Sequence, residues 1–227
     1  MREIVFDTET TGLDPNTGDR MVEIGCVEMV NLVPTGKVYH AYYNPERDMP
    51  SGAEAVHGLS AVFLADKPLF RDVADELLEF IGDSPLIAHN AGFDFAFLNA
   101  ELGLCDRVAV CTSRMIDTVA LAKKRHPGAK LSLDALCTRY GIDRSHRVKH
   151  GALLDAELLA QVYVELKGGR QIGLELAADR AAPVADPVAV RKAPVGPRRI
   201  PRPHIASAAE LARHREFMAG IENALWG

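Results

Sequence analysis

Two carboxylates separated by one residue stand near the start of the chain. Asp7 and Glu9 belong to the run FDTETTG, which follows the apolar residues Ile4 and Val5. Side chains alternate between the two faces of a strand, so both carboxylates point to the same side. They repel each other unless cations lie between them, and hard oxygen ligands select Mg²⁺ or Mn²⁺. A polar strand end before a turn is the alternative reading of this pair.

Two further segments carry groups of the same kind. Asp94 follows a short apolar strand and lies in the first turn of a predicted helix, where α/β sheets place their sites. His150 and Asp155 are five residues apart, which on a regular helix separates their side chains by about 140°. They can share a site only if His150 lies on the loop that enters the helix. Alone, Asp94 is also explained by the helix dipole, and His150 as a solvent-facing residue.

In this order the four acids and the histidine resemble the DEDDh 3′→5′ exonucleases of the RNase H-like superfamily. The resemblance covers about residues 3–168. It implies an α/β fold with a mixed five-stranded sheet flanked by helices. It also implies two divalent cations, Mg²⁺ or Mn²⁺: Asp7, Glu9 and Asp155 would hold one, and Asp7 with Asp94 the other. His150 would accept the proton of the attacking water, since imidazole exchanges protons near neutral pH.

Other segments are similar to the subgroup of this family that proofreads for bacterial replicative DNA polymerases. They are VHGL from Val56, LSLDALC from Leu131 and GALLDA from Gly151. In that subgroup a residue matching His57 helps to hold the terminal nucleotide, whereas Glu54 does not stand at the matching spacing and its role stays open. The resemblance implies the following substrate-binding residues: Asp7, Thr8, Glu9, Gly12, Leu13, His57, Asn90, Phe93 and Asp155.

The function implied is proofreading of single-stranded or frayed DNA 3′ ends, with release of 5′-nucleoside monophosphates. Frayed ends are preferred because unpairing costs energy. The implied partners are the polymerase catalytic subunit and a sliding clamp, with room for a small accessory subunit. Two alternatives remain open. One is a stand-alone exonuclease acting on RNA or short oligonucleotide ends, and the other is a scaffold subunit without catalysis.

The composition is that of a soluble globular protein: 48% of the 227 residues are hydrophobic, 25% are charged, and the net charge is −5. Nucleic-acid-binding modules are usually basic, so metals or a partner must supply positive charge. No run is long and apolar enough for a membrane span, and no signal peptide precedes the first strand, so we expect a cytoplasmic protein. The four cysteines form no C-x-x-C pair, which indicates reduced thiols rather than zinc ligands.

Alternating apolar and amphipathic runs predict the elements that position these residues. The predicted strands are 4–6, 21–30, 37–43 and 86–88, and the predicted helices are 70–81, 92–102, 114–124, 131–140 and 152–166.

The chain divides into a predicted exonuclease domain (1–170), a linker (171–206) and a terminal helix (207–227). The linker holds six of the thirteen prolines and five basic residues against one acid between residues 183 and 204, which predicts an extended segment. At its start, Gln171, Leu174 and Leu176 resemble a clamp-binding peptide. The terminal helix begins with a capping-box pattern at Ser207. Its apolar residues are predicted to bind the polymerase: Leu211, Phe217, Met218, Ile221, Leu225 and Trp226.

Overall fold

The computed structural model of the protein describes residues 1–145, 149–169 and 206–221. These residues belong to two compact units that divide after residue 174, and each unit is described separately. Several predictions fall outside the described residues: the extended linker, the clamp-binding residues Gln171, Leu174 and Leu176, and the last two tail anchors, Leu225 and Trp226.

The first unit is built on a mixed five-stranded sheet with the order β3-β2-β1-β4-β5. Its strands are β1 (Arg2–Thr10), β2 (Met21–Val30), β3 (Val33–Tyr42), β4 (Leu86–Ala88) and β5 (Met115–Asp117). The first three are antiparallel neighbours, whereas β4 runs parallel to β1 and β5 parallel to β4. The predicted fold class is confirmed.

The helices of this unit lie between and after these strands. They are α1 (Ser51–His57), α2 (Ala61–Leu64), α3 (Phe70–Ile81), α4 (Ala91–Leu104), α5 (Thr118–Arg125), α6 (Leu133–Tyr140) and α7 (Ala152–Leu166). None of the helices described in the chain is long and apolar enough to cross a membrane.

Strand β1 divides the hydrophobic core into two layers. Ile4 and Phe6 pack in one buried cluster with residues of α3 and α4, whereas Val5 packs in another with residues of α6 and α7. Since strand side chains alternate, the odd-numbered residues of β1 face α7 and the even-numbered ones face α4. This alternation sends Asp7 and Glu9 toward α7.

The predicted bounds of β2, α3, β4 and α7 agree with the structure. The single helix predicted over 114–124 is wrong at its start. Met115–Asp117 forms β5, paired with β4, and α5 begins only at Thr118, with Asp117 as its N-cap. A three-residue strand has too little sequence pattern to be recognised without the neighbour that pairs with it.

The second unit contains the described helix α8 (Ala208–Ala219). The predicted capping box is confirmed: the Ser207 hydroxyl accepts a bond from the Glu210 N–H at 3.3 Å, and the Glu210 carboxylate accepts one from the Ser207 N–H at 2.8 Å. The helix ends at Ala219, so Ile221 lies beyond it and outside the predicted stripe. Leu211 and Phe217 are exposed on it.

Candidate active site

The carboxylates of Asp7 and Glu9 lie near the end of β1. Asp7 pairs with Gly25 and Glu9 with Glu23 on β2, and a register shift follows between Glu9 and Thr10. Glu9 is buried, and Asp7 is half-buried. The D-x-E spacing therefore places both carboxylates on the face of the sheet that α7 covers, as predicted from strand alternation.

Asp94 reaches the site from the opposite layer. It lies in the first turn of α4 and is buried. The Thr8 hydroxyl donates a hydrogen bond to Asp94 Oδ1 at 2.7 Å. Burial raises the pKa of Asp94 to about 7, against the opposing effect of that hydrogen bond. Thr8 is thus the link between β1 and α4, because it is the even-numbered residue between Asp7 and Glu9.

His150 and Asp155 come from the start of α7. Gly151 is the N-cap of the helix, so His150 lies on the entering loop. His150 Nδ1 is 3.2 Å from Asp155 Oδ2, and their side chains are 48% and 4% exposed. The structure satisfies the condition that the sequence set for these residues to share a site. The buried carboxylate anchors the pair, while the imidazole stays open to solvent.

One cavity of about 270 Å³ brings the five predicted catalytic side chains together. Its lining is Asp7, Thr8, Glu9, His89, Phe93, Asp94, Ser132, Leu133, Asp134, His150 and Asp155. Five carboxylates, those of Asp7, Glu9, Asp94, Asp134 and Asp155, face a small volume, which is unfavourable without positive charge among them. The cavity therefore suits cations. It can accept an anionic substrate only after cations have bound.

The donor atoms fit a hard divalent cation. Potential ligand atoms of Glu9, His150 and Asp155 all lie within 4.8 Å of one another. Asp7 and Asp94 line the same cavity but do not belong to that group. Carboxylate oxygens match the preferences of Mg²⁺ or Mn²⁺, whereas an imidazole nitrogen suits other metals, so Glu9 and Asp155 are the fitting ligands in this group and His150 lies beside them. The geometry thus places His150 nearer to Glu9 than the sequence could indicate.

A second cavity of about 450 Å³ adjoins the first and shares Thr8, Glu9 and Phe93 with it. It is lined mainly by small and apolar residues, namely Thr10, Thr11, Gly12, Leu13, Pro50, Gly52, Ala53, Val56 and His57 besides the shared three. Leu13 is 85% exposed at its edge. The apolar walls of this second cavity suit the flat face of a nucleotide base.

His57 is the imidazole that lines this second cavity. Its Nδ1 accepts a hydrogen bond from the Leu59 N–H at 3.0 Å, while its Nε2 is buried without a partner among the described residues. Burial lowers the pKa of this imidazole. A neutral ring whose Nδ1 is an acceptor carries its proton on Nε2, which is then a donor for a ligand. Glu54 does not line the cavity.

Two predicted substrate residues have surroundings that differ from expectation. Asn90 is exposed, adopts a left-handed conformation with φ of 64°, and is absent from the linings of both cavities. At Gly12, a Cβ would lie less than 3.0 Å from the Asp19 carboxylate. The Asp19 carboxylate, which pairs with Arg47 at 2.9 Å, occupies this space, so a side chain at position 12 would displace it.

Sequence reasoning missed three polar residues of the catalytic cavity: His89, Ser132 and Asp134. His89 follows β4 directly and contacts the Thr118 hydroxyl at 2.9 Å through Nδ1. Burial lowers the pKa of His89. Its position at a strand end was the available signal, whereas Ser132 lay inside the helix predicted over 131–140 and is in fact its N-cap.

Comparisons with known proteins agree with this geometry. The family model described as "Exonuclease" matches residues 4–163. DNA polymerase III subunit epsilon of Rickettsia conorii is 50% identical over 97% of this chain and 96% of its own length. The protein of the same name from Escherichia coli is 46% identical over 74% of this chain and 72% of its own.

Two solved structures share the fold. Exonuclease X, in complex with 5′ overhanging duplex DNA, aligns with a TM-score of 0.58 at 26% identity over 72% of this chain and 89% of that one. The nuclease domain of 3′hExo, a DEDDh family member bound to rAMP, aligns with a TM-score of 0.64 at 16% identity over 73% and 91%. The second likeness concerns the fold alone.

Proposed function

The chain belongs to the exonuclease family and, within it, to the epsilon subunits of DNA polymerase III, and we propose that it proofreads DNA 3′ ends at the catalytic cavity. The observation that carries the proposal is the convergence of Asp7, Glu9, Asp94, His150 and Asp155 on that cavity. The product is a 5′-nucleoside monophosphate, and the remaining strand keeps a 3′-hydroxyl.

The acidic side chains would hold the divalent cations: Glu9 and Asp155 one, with Asp7 beside them, and Asp94 with Asp7 the second. When bound, two cations would stabilise the attacking and leaving oxygens of the phosphodiester. Thr8 keeps Asp94 in place through its 2.7 Å hydrogen bond.

His150 serves as the general base. When the Nδ1–H group donates a hydrogen bond to Asp155 Oδ2, across the observed 3.2 Å, the other ring nitrogen, Nε2, carries a lone pair. That lone pair accepts the proton of the attacking water. Asp155 therefore orients the imidazole and stabilises its protonated form, in addition to its role toward metal.

The apolar cavity receives the terminal nucleotide. Gly12, Leu13 and Phe93 form its wall, and His57 supplies a hydrogen-bond donor at Nε2. The cavity accepts a base only after that base leaves its stack, so an end that is already mispaired enters at lower cost. Mismatched ends are thus removed faster without any reading of sequence.

The net charge of the chain and the C-terminal helix α8 both support a protein partner. A chain with net charge −5 holds DNA weakly by itself, so a polymerase that delivers the end makes proofreading efficient. We place this contact at the C-terminal helix α8. The clamp-binding segment at Gln171, Leu174 and Leu176 and a small accessory subunit stay predictions, as does a cytoplasmic location.

The experiment that tests the function compares three labelled substrates: a primer with a mispaired 3′ end, the paired primer, and a short RNA. Each is incubated with the purified chain in Mg²⁺, in Mn²⁺ and in EDTA. We expect mononucleotide release from DNA, fastest from the mispaired primer, and none in EDTA. Preference for the RNA would favour the stand-alone exonuclease, and inactivity on all three would leave a scaffold subunit.

A further inference from the structure

We propose that Gly25 is a positioning residue for catalysis, because it lets the first turn of α7 lie directly against the sheet beside Asp7. The inference rests on the proposed function of the catalytic cavity. Gly25 does not line that cavity, so any effect it has on turnover must act through other residues. Neither the strand pattern nor the D-x-E motif pointed to it.

The space at Gly25 is filled by main-chain atoms. A Cβ at this position would lie less than 3.0 Å from the backbone of Ala152 and Leu153, a distance that real Cβ atoms essentially never show. Side chains can rotate away from such a contact, but backbone atoms in the first turn of a helix cannot. The residue at position 25 thus sets the distance between β2 and the start of α7.

Conformational freedom does not explain this glycine. Gly25 is absent from the glycines with positive φ, so its backbone conformation is open to any residue. It lies in the centre of the sheet, where it pairs in register with His40 on β3 and Asp7 on β1. The requirement for glycine is therefore one of space alone.

The first turn of α7 is the part of that helix which carries the chemistry. Asp155 donates its N–H to the Gly151 carbonyl at 2.9 Å, so it moves with the helix start. His150 precedes that turn and contacts Asp155. Glu9, by contrast, lies on β1, which pairs with β2 and would stay in place. Lifting the turn would separate Asp155 and His150 from Glu9.

The loop is also fixed at its other end. The His150 N–H donates to the Val56 carbonyl at 3.4 Å, which ties the loop to α1. A displaced helix start would therefore strain this contact as well. A shift of about 1 Å at reacting groups can cost about 10²-fold in rate, so one added methyl group suffices.

The test is Gly25→Ala, measured as kcat and KM on single-stranded DNA and as binding of Mn²⁺ by calorimetry without DNA. We expect kcat to fall by about 10²-fold, Mn²⁺ binding to weaken, and KM to stay close to the wild-type value. Gly103→Ala is the matched control, because no atom lies within 4 Å of its Cβ position and its φ is ordinary. That control should equal wild type in all three measurements.

A second control separates positioning from general destabilisation. Leu77→Ala leaves a cavity beside α3, in the buried cluster that contains no residue of α7. It should therefore lower the unfolding temperature. At a temperature where all variants are folded, Leu77→Ala should keep wild-type kcat and Mn²⁺ affinity. The proposal is overturned if Gly25→Ala binds Mn²⁺ and turns over like wild type, or if Leu77→Ala shows the same defects as Gly25→Ala.

If Gly25→Ala does not fold, Ala156→Ser replaces it. Ala156 is fully buried one turn further along α7, in the cluster that packs against the sheet, and serine adds a single atom. It should lower kcat and weaken Mn²⁺ binding in the same direction, and wild-type values would overturn the proposal. Inactivity of the wild-type chain would instead refute the proposed function, so the two failures are distinguishable.

Discussion

The catalytic unit and the C-terminal helix α8 differ in what holds their functional residues in place. In the catalytic unit the key side chains arrive from β1, α4 and the start of α7, and the carboxylates of Glu9, Asp94 and Asp155 are buried. In α8, the capping box is formed by residues three positions apart, and the apolar side chains of Leu211 and Phe217 are exposed.

The difference indicates two kinds of function. The buried carboxylates are held by surrounding layers of the same unit, so the proposed chemistry does not depend on α8. A helix of 12 residues is marginal in water, since nucleation is costly and most helical stability comes from packing. Exposed apolar residues on such a helix favour docking against a partner. Catalysis and recruitment should therefore separate experimentally.

Replacement of Asp7 by Asn should have the largest effect. The change removes charge but little volume, so the fold should persist while turnover is abolished. Mutation of a residue that hydrogen-bonds a metal ligand typically lowers metal affinity or activity by about 10- to 100-fold. Loss of the charge of a ligand itself should lower activity by more than that. Turnover in Mg²⁺ is the measurement, with circular dichroism as the check on folding. A variant that retained a large share of wild-type turnover would refute the metal-binding role of Asp7.

Removal of the general base ranks second. His150→Ala should reduce kcat by about 10²-fold or more, the usual scale for general base catalysis, because it removes the imidazole that contacts Asp155 in the catalytic cavity. His126→Ala is the matched control: that imidazole contacts Tyr140 at 2.6 Å and does not line the catalytic cavity. Equal activities for the two variants would show that another group accepts the proton.

Changes in the tail should leave catalysis intact and affect binding. A chain ending near Ala182, or the full chain with Phe217→Ala and Ile221→Ala, should degrade single strands at the wild-type rate. Each should bind the polymerase catalytic subunit more weakly, by about 30-fold or more if these residues are hot spots of about 2 kcal/mol or above. Surface plasmon resonance measures the affinity.

Glu216→Ala provides the control for the tail. At about 100° per residue, Glu216 lies roughly opposite Leu211 and Met218 on the helix, so its loss should alter binding little. Undiminished polymerase binding by the truncated chain would place the main contact on the catalytic unit, and the contrast drawn above would fail.

The smallest effect should come from the helix cap. Ser207→Ala should destabilise α8 by about 1 kcal/mol, the usual cost of losing an N-cap side chain. The helical signal of a peptide covering residues 200–227 measures this loss. A peptide with unchanged helicity would show that the capping box contributes nothing to α8 in water.

Acid should act on the same cap. Hydrogen bonds from Ser207 lower the pKa of Glu210. Its contribution to helix stability is therefore present above the unfolded-state pKa and is lost as the pH falls through the lowered value. The wild-type peptide should lose helicity on acidification over that range, and Ser207→Ala should show less of this dependence. Equal acid sensitivity in both peptides would contradict the assignment.

Much of the site could be predicted from local pattern. The period of two along β1 placed Asp7 and Glu9 together, and the position of Gly151 before α7 allowed His150 to meet Asp155. These are properties of neighbouring residues. The strand β5 could not be predicted in this way, because three residues become a strand only by pairing with β4.

The sequence by itself determined which groups are candidates for the chemistry, since their types and spacing depend only on the local chain. The tertiary structure alone decided how closely they meet. Gly25 and Gly12 look like ordinary glycines in the sequence, yet one accommodates the backbone of α7 and the other the carboxylate of Asp19. The requirement at Gly25 arises between residues far apart in the chain, where packing leaves no room for even one carbon atom.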